Sequence, residues 1–222
     1  MKFSIKTKTQ VATTETYHKN TLIVIMGKSL SGKSYLQNRL VKAGFPKLIT
    51  TTSRPKREHE QNGVDYYFVD SNNKISDETK LALREYHVAN GETWEYYLSR
   101  DELINKMSHL PVATLILDLK GYLMLQQQLL QQQLAELQSK NSKLNNINIL
   151  GLYLDTPLKT RLHHYLDTDR QNESEKEFVR RLYDDETNAF KELEDPNFAR
   201  NHKILVINPD NGFDQLTTLL NK

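Results

Sequence analysis

The 222-residue chain carries 30 Lys and Arg against 28 Asp and Glu, a formal net charge of +2, with 37% hydrophobic and 26% charged residues. That length allows one sizeable domain with its own core, and the near-neutral balance gives no electrostatic case for nucleic acid or an anionic membrane. The absence of cysteine excludes disulfides, thiolate catalysis and Cys-ligated zinc. With no signal-like apolar stretch near the start, and no run near the roughly 18 apolar residues of a membrane span, the expectation is a cytoplasmic protein.

Residues 1–20 are polar and slightly basic; they read as an N-terminal arm without an assigned role. Residues 21–26, Thr-Leu-Ile-Val-Ile-Met, form a short β-branched apolar run bounded by Gly27, which predicts a buried strand. Residues 34–43 then predict a helix, ended by Gly44 and Pro46. Between strand and helix stand Gly27, Lys28, Ser29, Leu30, Ser31, Gly32, Lys33 and Ser34, the pattern G-x-x-x-x-G-K-S. Glycines at both ends let the backbone wrap so that its N–H groups converge on phosphate oxygens, and the following helix adds its positive end. In that geometry Lys33 reaches the β- and γ-phosphates of ATP, and the Ser34 hydroxyl ligates Mg²⁺.

Further buried strands are expected at 113–118, 147–154 and 203–208, with helical stretches between them. The alternation predicts an α/β P-loop NTPase fold: three layers around a mostly parallel central sheet. Asp118, at the end of one such strand, is a second candidate for organising Mg²⁺, in part through water. The segment 121–146 holds seven Gln between positions 126 and 138, with Leu123, Leu130, Leu137 and Leu144 every seventh residue. It reads as an amphipathic crossover helix, with a dimerising or partner-binding helix as the alternative.

Two polar excursions interrupt the core pattern, at 50–100 and about 161–185. The first contains Arg54 and Arg57 followed by Tyr66 and Tyr67, residue types suited to a second phosphate group. Here the chain resembles the guanylate kinase family. Thr52-Ser53-Arg54-Pro55-Lys56-Arg57-Glu58-His59-Glu60 is similar to the family's Thr-Thr-Arg-x-x-Arg-x-x-Glu, and Gly63-Val64-Asp65-Tyr66-Tyr67-Phe68 to its Gly-x-Asp-Tyr-x-Phe.

That resemblance implies a kinase transferring phosphate from ATP to a nucleoside monophosphate, with GMP the first expectation. It implies a core of 21–49, 101–160 and 186–222, an acceptor region at 50–100 and a lid at about 161–185. It implies acceptor roles for Thr50, Arg54, Arg57, Glu60, Tyr66, Glu85, Tyr97 and Ser99. Tyr96 and Tyr97 are alternatives, because Leu98 stands where the family has glycine. Arg170 and Arg181 resemble the lid arginines that join Lys33 and Arg54 in catalysis, Arg161 adds charge there, and Asn208 resembles the residue that meets the ATP adenine. Lys120 stands where the family has a second aspartate, which admits another base in place of guanine. A non-catalytic, protein-binding module of the same fold is the remaining alternative. The histidines show no metal-ligand spacing.

Overall fold

A computed structural model describes residues 20–70, 77–88, 91–136, 147–167, 175–208 and 212–220. Their elements run β1 (Thr21–Gly27), α1 (Lys33–Lys42), β2 (Thr51–Thr52), β3 (Tyr67–Phe68), β4 (Lys80–His87), β5 (Thr93–Ser99), α2 (Arg100–Met107), β6 (Val112–Ile116) and α3 (Leu119–Glu136). Then follow β7 (Asn148–Leu154), α4 (Leu158–Asp167), α5 (Glu175–Thr187), α6 (Pro196–Asn201), β8 (Ile204–Ile207) and α7 (Gly212–Leu220).

The central sheet has the order β6-β1-β7-β8 and every pairing in it is parallel. β1 lies inside it and is buried along its whole length. Side chains of a strand alternate between faces, so this run supplies two cores at once. Leu22, Val24 and Met26 pack with Leu119, Tyr122 and Leu125 of α3, whereas Ile23 and Ile25 pack with Leu36 and Leu40 of α1 and Leu216 of α7. The fold is therefore α/β, with helices on both faces of a parallel sheet, as the alternating pattern predicts. The observed strands match the predicted runs to within two residues at either end.

α3 begins at Leu119, and its inward face is Leu119, Tyr122, Leu125 and Leu129. The seven-residue leucine repeat follows a different line: Leu123 is half-buried, Leu130 is exposed, and Leu137 and Leu144 fall outside the described residues. Two glutamines of the Gln-rich stretch have defined tasks. Gln126 Nε2 donates to His202 O at 3.2 Å. Gln128 Oε1 accepts the Ala82 amide at 2.9 Å, where β4 bulges and Ala82 takes φ 51°. No helix among the described residues is long and apolar enough to cross a membrane.

Gly151 of β7 lets α3 sit close to the sheet. A Cβ there would lie 2.9 Å from Met26 Cε and 3.0 Å from both Ile204 Cγ1 and Tyr122 Cζ. Gly151→Ala is expected to cost about 1–3 kcal/mol by overpacking, read as a lower urea midpoint at unchanged slope.

A second, four-stranded sheet of order β3-β2-β5-β4 is built wholly from residues 51–99. β2 and β3 run parallel, and β5 is antiparallel to both of its neighbours. It adjoins the central sheet where β4 packs on α3.

Candidate functional site

The loop from β1 to α1 has the form its sequence requires. Gly32 stands just before α1 at φ 93°, ψ 14°, a left-handed conformation that glycine adopts without strain. Gly27 allows a close approach instead: a Cβ there would lie 2.5 Å from Ser31 Oγ and 3.1 Å from the Leu154 carbonyl. Lys33 Nζ folds back to donate to the carbonyls of Gly27 at 2.7 Å and Lys28 at 2.9 Å. Ser34 is exposed on the first turn of α1.

Neighbouring elements grip this loop by its carbonyls. Thr156 Oγ1, just beyond β7, donates to Ser31 O at 2.9 Å. His164 Nδ1 of α4 lies 2.8 Å from Leu30 O. Arg161 of α4 donates through Nη1 to Ser29 O at 3.2 Å. Arg161, expected to add charge at the lid, is 1% exposed, and it pairs with Glu186 of α5 and, at 3.8 Å, with Asp185. The same two carboxylates reach the loop itself. Asp185 Oδ2 accepts the Ser29 amide at 2.6 Å, and Glu186 accepts from Lys28 Nζ at 2.8 Å. Burial raises the Glu186 carboxyl, but the bond from Lys28 and the charge of Arg161 outweigh it, leaving its pKa below the ordinary value.

β6 runs beside β1 in register up to Ile25 and Ile116, so Asp118 lies next to the start of the loop. Its carboxylate is fully engaged. Oδ2 accepts from Arg84 Nε at 2.9 Å and Tyr86 OH at 2.8 Å, while Oδ1 accepts the Gly121 amide at 2.6 Å, on the first turn of α3. Arg84 and Tyr86 alternate along β4 and share a face; Glu85 and His87 are exposed on the other. Burial, then the Asp118 charge, pushes the Tyr86 phenol far above its usual pKa, so it remains a donor.

From Tyr86 an aromatic row leads away from Asp118. Tyr86 meets Tyr96 edge-on at a centroid distance of 5.5 Å, and Tyr96 meets Tyr66 at 6.0 Å. The Arg54 guanidinium then lies 5.5 Å from the Tyr66 ring centre and 5.7 Å from that of Phe68. Arg54 is 5% exposed, bonded through Nη2 to Glu60 Oε1 at 2.6 Å and through Nη1 to Pro55 O at 2.8 Å. The second Glu60 oxygen accepts the Arg57 amide at 2.8 Å, turning the Arg57 side chain out into solvent. Burial raises the Glu60 carboxyl, but those bonds outweigh it and hold its pKa below the usual carboxylate value.

The expected acceptor residues thus divide between faces of the small sheet. Arg54, Glu60 and Tyr66 come together. Tyr97 and Ser99 point to the opposite face, where Tyr97 is buried with Lys80 Nζ 5.2 Å from its ring centre, and Ser99 caps α2 by accepting the Glu102 amide at 3.1 Å. Of the two tyrosines it is Tyr96 that faces Arg54. Glu85 points away from Asp118. Thr50 is half-buried, and its carbonyl accepts the Tyr67 amide at 2.9 Å. Lys120 is exposed at the start of α3, Asn208 is exposed just after β8, and Arg181 is half-buried on α5. Arg170 and nearly all of the N-terminal arm fall outside the described residues.

The sequence reading missed Arg84, Tyr86, Thr156, Asp185 and Glu186. The acidic run Asp184-Asp185-Glu186, two residues after the Arg180-Arg181 pair, was a visible signal, and nothing local says that it meets a loop more than 150 residues earlier. Among the described residues no group of three or more His, Asp or Glu could hold a metal ion.

The family model for guanylate kinase matches residues 19–137, just over half of the chain. A solved structure of guanylate kinase from Anaplasma phagocytophilum is similar in fold with a TM-score of 0.53 and 15% identity, over 92% of this chain and 86% of that one. At that identity the likeness concerns the fold. A search of curated proteins by sequence returns no match.

Proposed function

The chain belongs to the guanylate kinase family, and on that premise we propose that it transfers a phosphoryl group from ATP to a nucleoside monophosphate, with GMP the first candidate. The observation that carries this reading is the joining of two anion-ready clusters. From the Arg54–Tyr66 cluster, Tyr96, Tyr86 and Arg84 lead to Asp118, which lies beside the start of the loop that carries Lys33.

Phosphoryl transfer asks the protein for alignment, exclusion of water and neutralisation of charge, more than for covalent chemistry. The amides of residues 28–34 and Lys33 hold the donor phosphates. Arg54, Arg57 and Tyr66 hold the acceptor phosphate, with Tyr96 the tyrosine that flanks it. Arg170 and Arg181 bring charge to the group in flight, and Asn208 meets the adenine. No general base is needed, because the attacking phosphate oxygen is already an anion. Glu60 acts on Arg54 rather than on substrate. Mg²⁺ carried with ATP neutralises phosphate charge, and the exposed Ser34 hydroxyl fits it. Asp118 reaches a metal only if Arg84 releases it.

Base preference is the second question. Guanine presents N–H donors that want acceptors, but Glu85 faces away from this row, while Arg84, a donor, lies toward it. That arrangement favours weighing a base richer in carbonyl oxygens. The test is turnover of each monophosphate in turn with ATP and Mg²⁺. GMP as the best acceptor supports the first reading, and a pyrimidine as the best supports the second. No transfer to any monophosphate overturns both and leaves a binding module.

A further inference from the structure

Two carboxylates set against a phosphate loop have no part in phosphoryl transfer, and their contacts differ in kind from the others the loop makes. Thr156, His164 and Arg161 hold carbonyls of Ser31, Leu30 and Ser29. Such contacts leave the loop's N–H groups facing outward for an anion. Asp185 does the reverse. Its Oδ2 takes the Ser29 N–H itself at 2.6 Å, a short charge-assisted bond of the kind a phosphate oxygen makes. Glu186 adds a second negative charge on Lys28 at 2.8 Å, and Lys33 is turned onto loop carbonyls. The loop therefore already has an anion, supplied by its own chain.

We propose that α5 is an internal competitor of the donor nucleotide: Asp185 occupies an anion position of the loop, and ATP takes the loop only as α5 releases it. This inference rests on the loop being the ATP site. The carbonyl-side struts from α4 and Thr156 stay in place during the exchange, so the loop keeps its shape while its N–H side changes partner. Arg161 makes that division possible, because it bonds Ser29 O and both carboxylates, and it remains attached to the loop after they leave. Arg181 stands one turn before Asp185 on the same helix. Release of Asp185 therefore moves a lid arginine, and arrival of the donor and placement of that arginine become one event. A bound ligand can shift the helix only by its differential affinity for the two states, so the latch weakens apparent ATP affinity by the fraction of time it is closed.

The experiment measures Mg-ATP affinity by calorimetry for the wild type, Asp185→Asn and Asp185→Ala, with amide exchange of α5 followed in the wild type with and without ATP. Removing the competing charge is expected to tighten ATP about tenfold, the scale of one net charge-assisted bond. Saturating ATP is expected to raise exchange across 178–187. An unchanged or weaker affinity in the variants overturns the proposal. Should neither variant fold, exchange in the wild type decides, and no rise on adding ATP overturns it. Lys33→Ala separates the levels. ATP binding that survives it removes the loop as the ATP site and takes the latch with it, whereas binding that needs Lys33 but ignores Asp185 overturns the latch alone.

Discussion

Lys33→Ala is expected to lower the rate of phosphoryl transfer by roughly a thousandfold, the scale seen when one preorganised charge donor is removed from a transition state. The fold should survive. The Lys33 ammonium donates to two loop carbonyls at 2.7 and 2.9 Å, part-buried bonds with a net contribution of about 1–2 kcal/mol each. Thermal melting within a few degrees of the wild type, together with the collapse of kcat, would place the effect on the chemistry. A variant that keeps most of its kcat would remove this loop from the reaction.

Arg54→Ala should act on binding and on stability together, and the two effects can be separated. Loss of the guanidinium removes a charge-assisted contact with the acceptor phosphate, and KM for the monophosphate is expected to rise about a hundredfold. It also leaves Glu60, only 17% exposed, without its partner, and breaking such a pair costs about 3 kcal/mol. Arg54→Ala with Glu60→Ala should regain much of that stability, because no carboxylate is left uncompensated. The same double variant should regain none of the KM. If KM recovers with stability, Arg54 serves the fold and not the substrate.

The parts of the molecule that could be read in the sequence are those where one physical requirement dominates. β1 is buried along its whole length, and β6 and β7 nearly so, and a run that must be apolar everywhere is visible as such. The glycines of the loop between β1 and α1 were legible for a similar reason, since backbone geometry leaves few other choices there. The small sheet was not. β2 and β3 are two residues each, too short for any period, and β4 alternates Arg84 and Tyr86 with Glu85 and His87 around a bulge. Both of its faces carry polar groups, so the sequence does not say which one turns inward.

The same ambiguity covers Tyr96 and Tyr97. Tyr96 and Tyr97 are chemically alike, and only the register of β5 against β2 sends one to Arg54 and the other to Lys80. The surroundings of Arg161 were hidden for a different reason: nothing near it in sequence announces the two acids of α5 that stand beside it.

The position of β1 also determines when this sheet can exist at all. Thr21 pairs on one side with Val112 and on the other with Asn148, so the strand made first among the four acquires its two neighbours long after it leaves the ribosome. Each closure spans a large loop, whose entropic cost falls due before any contact rewards it. Until residue 148 has emerged, a strand apolar from Leu22 to Met26 waits with at least one edge unpaired, and at 5–20 residues per second, roughly, that interval lasts many seconds. The strand that ends at Gly27 therefore needs protection while the rest of its sheet is being made.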